Sequence, residues 1–148
     1  MNEPFIESVA KALLINNQNK ALILTIGEHK ENPEKSFKLD LPGGLVDPGE
    51  TEHEAVIREI NEETGIIVNK TQLTMVYSGT QFVVEEHKSV TKHLFIVKLD
   101  GNPNVKLSWE HSEFEWIKFD DLQAKELRSF YDEAIEYCLS NGLLTKSS

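Results

Sequence analysis

The chain of 148 residues carries 15 Lys and Arg against 25 Asp and Glu, a formal net charge of −10 at pH 7. This length is enough for one domain with a real hydrophobic core. Such an acidic chain is not expected to hold a long nucleic-acid backbone or an anionic membrane surface. If it handles phosphates, we expect a metal cation held by carboxylates to mediate the contact. The single cysteine, Cys138, excludes an internal disulfide framework and a cysteine-rich zinc site.

No apolar run approaches the roughly 18 residues that a membrane-spanning helix needs. Residues 1–11 include Glu3, Pro4 and Glu7 where a signal peptide would need an apolar stretch. We therefore expect a cytoplasmic protein that forms one domain over residues 1–148.

The first third of the chain predicts strands and turns. Apolar residues predict strands at Phe5–Ile15 and Lys20–Ile26, with the polar residues 16–19 as the turn between them. Residues 27–38 are polar and include a proline, which predicts an exposed loop. Residues 39–44 predict a short strand that ends in a glycine turn.

A helix is predicted over residues 51–64. Thr51 is suited to the N-cap, Glu54 stands three residues later as the partner of a capping box, and Gly65 supplies the C-terminal stop. The apolar side of this helix is formed by Val56 and Ile60.

The second half of the chain predicts three more strands and two more helices. The strands are predicted at residues 72–85, 90–99 and 113–119, and the helices at 120–127 and 129–139. Residues 144–148 are predicted to be a frayed tail. Strands on both sides of a central helix favour a mixed α/β or α+β sandwich.

The central helix carries an unusual row of acidic residues. At about 100° per residue, Glu52, Glu59 and Glu63 fall on one line beside the apolar stripe. A solvated, salt-bridged face is one explanation, and it suits the pairs that Arg58 can form with Glu54 and Glu62. It does not suit Glu59 and Glu63, which are like charges four residues apart. A divalent cation between them explains the pair better, because Mg²⁺ and Mn²⁺ prefer carboxylate oxygens.

The loop before this helix, residues 42–50, contains three glycines and two prolines. It is either a tight connection or a place where the backbone approaches a ligand closely, so that a carbonyl completes a metal shell. It is not a P-loop, because no Gly-Lys-Ser/Thr follows.

These residues together resemble a known family motif. Gly44, Glu50 and the run Arg58-Glu59-Ile60-Asn61-Glu62-Glu63-Thr64-Gly65-Ile66 fill every specified position of the Nudix box, G-x5-E-x7-R-E-U-x-E-E-x-G-U, where U is aliphatic. The resemblance implies an α/β/α sandwich with a mixed β-sheet. It also implies hydrolysis of a nucleoside diphosphate linked to another group, with Mg²⁺ or Mn²⁺ as the cofactor.

The resemblance also implies roles for the residues of the box. Glu59 and Glu63 would be the main metal ligands, and Glu62 would bind a further metal directly or through water. The carbonyl of Gly44 would add a ligand, and Arg58 would pair with Glu50 to orient the loop against the helix.

The general base is left open by the resemblance, because members of the family use either a glutamate of the box or an acidic residue in a later loop. Glu110 is the best-placed late candidate, since its loop precedes the last predicted strand. Glu113, Glu85 and Glu86 are weaker candidates. Each of these four is otherwise an ordinary surface carboxylate.

Substrate choice lies outside the box. Phe37, Tyr77, Phe82 and Trp109 are able to stack on a base or to join the core. Family members that hydrolyse nucleoside triphosphates often have an aromatic residue just before the Pro-Gly-Gly turn, where this chain has Leu39. The five histidines are interpreted as ordinary residues.

By elimination we favour a MutT-like pyrophosphatase acting on a (deoxy)nucleoside triphosphate. ADP-ribose and dinucleoside polyphosphates are alternative substrates. A nucleotide-sensing module without catalysis and an isopentenyl-diphosphate isomerase-like enzyme are alternative functions, although the latter needs a cysteine near the site. The expected partner is a small nucleotide, and a homodimer is compatible with the fold.

Overall fold

The computed structural model describes residues 3–145, in which seven strands form one mixed sheet. The strands are β1 (Phe5–Ile15), β2 (Lys20–Ile26), β3 (Leu39–Asp40), β4 (Gly43–Leu45), β5 (Leu73–Val83), β6 (Lys88–Lys98) and β7 (His111–Lys118). The order is β3-β2-β1-β6-β5, with β4 paired to β1 and β7 paired to β2. β1 and β6 are parallel along their whole length, whereas the other pairs are antiparallel.

Helices cover both faces of this sheet. Successive side chains of β1, β2 and β6 point to opposite faces, and the apolar ones on each face are buried in a separate core. The helices are α1 (Glu52–Thr64), α2 (Phe119–Leu122) and α3 (Ser129–Ser140). One core joins α1 to the sheet through Ala10, Ala12, Leu14, Leu22, Leu24, Phe95, Val97, Val56 and Ile60. The other joins α3 to the sheet through Leu13, Ile15, Ile23, Leu94, Ile96, Tyr131, Ala134, Ile135 and Cys138. The predicted α/β/α sandwich is confirmed.

Both ends of α1 follow the prediction. The Thr51 hydroxyl accepts a hydrogen bond from the N–H of Glu54, and the Glu54 carboxylate accepts one from the N–H of Thr51, at 3.1 and 3.0 Å. Gly65 ends the helix with φ of 74°, and its N–H donates to the Asn61 carbonyl. Only glycine adopts this left-handed conformation readily.

The segment around Gly43 differs from its prediction. Residues 39–44 do not form one short strand with a glycine turn, because β3 pairs with β2 while β4 pairs with β1. A Cβ on Gly43 would lie only 2.1 Å from the carbonyl oxygen of Ala10. Glycine is therefore required for the close strand pairing that brings β4 beside α1.

Two predictions near the C-terminus are wrong. The helix predicted over 120–127 is only the short α2, which is followed by turns. The predicted frayed tail is also incorrect at Leu144, whose side chain is buried in the core beside α3. Residues 146–148 of that tail lie outside the described residues. Within residues 3–145, no helix combines the length and apolar character needed to cross a membrane.

Candidate active site

The acidic row of α1 lies against the backbone of β4. The Glu63 side chain is almost fully buried, and its Oε1 accepts a hydrogen bond of 2.7 Å from the N–H of Gly43. Glu59 is half-buried one turn earlier. A Cβ on Gly44 would lie 2.8 Å from the Glu59 carboxylate, so glycine is needed there for the strand to approach this side chain. The third member of the row, Glu52, instead lies 3.9 Å from the ring of His93.

Arg58 ties the loop before α1 to the acidic row. Its Nε and Nη2 donate to the two carboxylate oxygens of Glu50 at 2.8 and 3.0 Å, a two-pronged contact. The same side chain donates to the Leu45 carbonyl at 3.1 Å and to Glu59 at 3.0 Å. The hydrogen bonds from Arg58 to Glu50 lower the pKa of Glu50 to about 2, helped by the N–H of Asp47. Glu54, a predicted partner of Arg58, instead takes part in the capping box.

Replacing Arg58 by Ala should lower kcat/KM by about 10–100-fold, because Glu50 and the loop lose their anchor. Arg58→Lys should recover little, since an ammonium group cannot reproduce the fork that binds both oxygens of Glu50. Steady-state kinetics of the two variants, with melting temperatures to confirm folding, checks this result. Full activity of Arg58→Lys would show that a positive charge alone is sufficient.

Burial makes the two inner carboxylates harder to ionise. It raises the pKa of Glu63 to about 7, although the charge of Lys11 and the N–H of Gly43 act in the opposite direction. Burial also raises the pKa of Glu59, against the hydrogen bond from Arg58. Burial thus disfavours the ionised forms of both carboxylates, and an added cation would stabilise them.

The donor set of this helix suits a hard divalent cation. Glu59, Glu62 and Glu63 offer carboxylate oxygens from neighbouring turns, and such oxygens are preferred by Mg²⁺ and Mn²⁺. Within residues 3–145, no three acidic, histidine or cysteine side chains already converge as a formed metal site. Glu59 and Glu62 both contact Arg58, so metal binding would compete with this guanidinium for their oxygens.

The late acidic candidates lie in different places. Glu110 is exposed in the loop before β7 and lines a cavity of about 270 Å³. It is close enough to Glu59 for its charge to contribute to the raised pKa of Glu59. Glu113 lies within β7, and residues 84–86 form a turn after β5 in which Glu86 pairs with Lys88. Glu110 is thus the late candidate that the fold brings to the acidic row.

A buried polar network next to Glu63 was missed by the sequence analysis. Lys11 Nζ donates to Asp40 at 3.2 Å and to the carbonyls of Leu41 and Gly43 at 3.1 and 3.2 Å. Asp40 also contacts His111 Nε2 at 3.0 Å and accepts from the Tyr131 hydroxyl at 3.1 Å. These contacts join β1, β3, β7 and α3 directly behind the acidic row.

His111 connects this network to the row itself. Its Nδ1 lies 4.0 Å from Glu63 Oε2 and has no hydrogen-bond partner in the described part of the chain. The interpretation of all five histidines as ordinary residues therefore does not fit His111, whose ring lies between Asp40 and Glu63. The sequence of β1 does indicate a buried lysine. Lys11 alternates in step with Leu13 and Ile15, so that its side chain points to the same face of the sheet as theirs.

The four aromatic candidates divide into two groups. Trp109 is 91% exposed and lines the cavity that contains Glu110. Phe37 is 64% exposed and lines a separate cavity with the half-buried Leu39. Tyr77 packs against Phe130 and Tyr137 of α3, and Phe82 packs against His87 at the end of the β5–β6 hairpin. Of these four candidates, Trp109 is therefore the one that shares a cavity with Glu110.

Comparison with known proteins decides the family. The family model of the NUDIX domain matches residues 7–138, which is most of the chain. The chain belongs to the Nudix family. Its Nudix box is the segment from Gly44 to Ile66, which contains the acidic row, Arg58 and Glu50. Nudix hydrolases generally need a divalent metal ion, in agreement with the oxygen donors of α1.

Known relatives of this Nudix chain carry different names. It is 36% identical over 115 residues to an ADP-ribose pyrophosphatase of Methanocaldococcus jannaschii, covering 78% of this chain and 64% of that protein. It is 38% identical over 82 residues to an asymmetrical bis(5'-nucleosyl)-tetraphosphatase of Caenorhabditis elegans, covering 54% and 58%. The match thus spans less than two thirds of the length of both relatives. Among solved structures, the MutT protein from Methanosarcina mazei Go1 has a TM-score of 0.79 and 28% identity, covering 95% of this chain and 99% of that one.

Proposed function

We propose that this Nudix chain hydrolyses the pyrophosphate bond of a nucleoside diphosphate linked to another group, with Mg²⁺ or Mn²⁺. The observation that carries the proposal is the contact of Arg58 with Glu50, Leu45 and Glu59. This contact holds the loop against α1, so that the backbone of β4 and the carboxylates of the row form one surface. A solvated charged face would need no such arrangement.

In this proposal Glu59 and Glu63 hold the metal ion, Glu62 contributes to a further ion, and the Gly44 carbonyl supplies an additional oxygen. When bound, the ion neutralises phosphate oxygens and lowers the pKa of a coordinated water. The chain itself supplies the carboxylate that takes the proton of the attacking water. Glu59 and Glu110 are the two candidates for this base, because Glu59 belongs to the acidic row and the charge of Glu110 acts on it.

We propose a (deoxy)nucleoside triphosphate as the substrate. The structural similarity to a MutT protein over almost the whole of both chains supports this class. The names of the two curated relatives keep ADP-ribose and dinucleoside tetraphosphates as the competing substrates. Trp109 supports a nucleotide in each case, because it offers an exposed ring at the cavity beside the row.

The test is a substrate screen on the full chain with Mg²⁺ and, separately, Mn²⁺. The screen measures the release of inorganic phosphate from deoxynucleoside triphosphates, ADP-ribose and a dinucleoside tetraphosphate. Inorganic pyrophosphatase or phosphatase is added to convert the reaction products into inorganic phosphate. We expect metal-dependent turnover with the highest kcat/KM for a triphosphate. If no nucleotide is hydrolysed although one binds, the proposal fails in favour of a nucleotide-sensing module.

Trp109→Ala should raise the KM of the best nucleotide by about fivefold or more, because stacking on a base is worth roughly 1–3 kcal/mol. Its kcat should change little, since the ring is not expected to contact the reacting phosphate. Phe82→Ala is the matched control, because Phe82 is exposed but lies outside this cavity. Equal KM values in the two variants would remove Trp109 from the nucleotide site.

A further inference from the structure

His111 is the first residue of β7, and its ring lies between two carboxylates. Nε2 is 3.0 Å from Oδ2 of Asp40, and Nδ1 is 4.0 Å from Oε2 of Glu63. The side chain is only 2% exposed. Nδ1 has no hydrogen-bond partner among residues 3–145, and a buried polar atom without a partner is unfavourable. The ring is thus held at one nitrogen and available for a further contact at the other.

The contacts of Asp40 decide which nitrogen of His111 carries the hydrogen. The Asp40 carboxylate is paired with the ammonium of Lys11, and it also accepts a hydrogen bond from the Tyr131 hydroxyl. An ionised carboxylate only accepts hydrogen bonds, so Nε2 of His111 donates to it. In the neutral imidazole the other nitrogen is then an acceptor. Nδ1 therefore presents a lone pair towards Glu63.

Glu63 presents a second acceptor on the other side of the same gap. Its Oε1 accepts the hydrogen bond from the N–H of Gly43, and its Oε2 faces His111. The Lys11 ammonium does not close the gap, because its three N–H groups donate to Asp40 and to two backbone carbonyls. Two acceptors that face each other form no hydrogen bond, whereas a cation between them would bind both.

The separation of these two atoms suits two ligands of one metal ion. Small divalent ions bind nitrogen and oxygen at about 2.1 Å, so that two ligands are about 3.0 Å apart at a right angle and about 4.2 Å apart when opposite. The 4.0 Å between Nδ1 and Oε2 lies in this range. Within residues 3–145 no third acidic, histidine or cysteine side chain completes the set, so water and substrate would supply the remaining ligands. His111 also lines the cavity of about 270 Å³ that contains Glu110, which gives an ion a route to the ring.

The contact between His111 and Asp40 is typical of histidines that bind metals. Such a histidine almost always donates its second ring N–H to a carboxylate, a carbonyl or water, which fixes the orientation of the ring. Here Lys11 and Tyr131 hold the carboxylate in its turn. The ring therefore cannot turn away from Glu63 without breaking a buried contact.

We propose that Nδ1 of His111 is a nitrogen ligand of the divalent ion bound by Glu63, and that this ligand makes the site select transition-metal ions over Mg²⁺. The inference rests on the proposed function for the presence of an ion at Glu63. Imidazole is a common ligand of transition-metal ions, whereas Mg²⁺ is bound mainly by oxygen. A nitrogen from β7 would thus distinguish Mn²⁺ from Mg²⁺, which the carboxylates of α1 alone do not.

The first experiment detects the nitrogen directly and needs neither substrate nor turnover. Mn²⁺ is added to the full chain in less than equimolar amount, and its electron spin-echo envelope modulation is recorded. We expect coupling to a directly coordinated ¹⁴N nucleus, which changes to ¹⁵N coupling in protein that contains ¹⁵N-labelled histidine. A spectrum of the unsubstituted protein without nitrogen coupling would overturn the inference, whether or not any variant folds.

Two variants assign the nitrogen to one histidine. His111→Gln should abolish the coupling, because its amide is able to donate to Asp40 but offers no imidazole nitrogen. His93→Gln is the matched control and should keep the coupling, although His93 lies 3.9 Å from Glu52 of the acidic row. Coupling that persists in His111→Gln, or disappears in His93→Gln, would contradict the assignment. Melting temperatures verify that both variants are folded.

The second experiment distinguishes a metal ligand from a residue that only orients Glu63. The Kd values of Mn²⁺ and Mg²⁺ are measured by calorimetry in the absence of nucleotide. His111→Gln should weaken the binding of Mn²⁺ at least tenfold and that of Mg²⁺ at most threefold, whereas Glu63→Gln should weaken both. Equal losses for the two ions in His111→Gln would mean that His111 only orients Glu63, and would overturn the inference.

The inference and the proposed function fail separately. Nitrogen coupling from His111 in a chain that hydrolyses no nucleotide would overturn the proposed function and keep the metal ligand. Metal-dependent hydrolysis without nitrogen coupling would keep the proposed function and overturn the role of His111.

Discussion

Glu59→Gln is expected to lower kcat by about 10²–10⁴-fold, the range typical of a lost acid–base group. Glutamine keeps the size of the side chain that packs against Gly44, but it removes the negative charge and most of the basicity. Nucleotide KM should change less, because contacts to base and sugar lie elsewhere. Steady-state kinetics with the best substrate and a melting curve measure both effects.

Two further variants make this result interpretable. Glu136→Gln changes an exposed carboxylate of α3 and should have no effect on kcat. Glu110→Gln tests the alternative base, and a loss as large as that of Glu59→Gln would assign the proton transfer to the later loop.

Hydrolysis in ¹⁸O water should place one label on a product phosphorus without a burst of covalent enzyme. Near-normal kcat for Glu59→Gln would instead favour nucleotide sensing without catalysis.

Lys11→Met is expected to destabilise the fold by about 3–5 kcal/mol, because it leaves the charge of Asp40 buried without its cation. Both side chains are about nine-tenths buried, and burial alone would raise the pKa of Asp40. The charge of Lys11 and the hydrogen bond with His111 outweigh this, and the pKa of Asp40 lies well below its usual range. The free energy of unfolding from urea titrations at pH 7 measures the loss.

A double-variant comparison tests whether the pair is the cause. Lys11→Met/Asp40→Asn should be less destabilised than the sum of its two single variants, because no charge is left unpaired. Additive losses would show that the two residues act independently. Since the pKa of Asp40 is lowered by folding, its contribution is present above the unfolded value of 3.8 and disappears as the pH falls below it.

The local part of the site could be predicted from sequence because its residues are close along the chain. Glu59, Glu63 and Arg58 lie on two turns of one helix, so that helical periodicity alone arranges them. The caps of α1 depend on residues three positions apart. In the same way, β1 and β2 follow from the pattern of their own apolar residues.

The buried network depends instead on how distant segments meet. Asp40 and Tyr131 are 91 positions apart, and no local pattern joins a residue of β3 to one of α3. The orientation of the aromatic candidates also depends on how distant segments meet. The pleat of β5 and the course of two loops decide which rings face the cavity that contains Glu110. A lysine at an inward position of β1 is a partial sign, but it does not name its partners.

The helix predicted over residues 120–127 failed for a geometric reason. Leu122 and Leu127 are both buried in the core beside α3. In a continuous helix, five residues turn the side-chain direction by about 140°, so that one face cannot bury both leucines. The chain leaves the helix after Leu122, and the turn brings Leu127 back to the core.

Cys138, the only cysteine of the chain, makes α3 observable on its own. Its thiol is buried, and burial raises its pKa to about 11, so that alkylating reagents meet little reactive thiolate in the folded protein. Labelling therefore requires the helix to separate from the sheet. The rate of labelling in native buffer reports the opening of the layer that carries Tyr131, independently of any turnover assay.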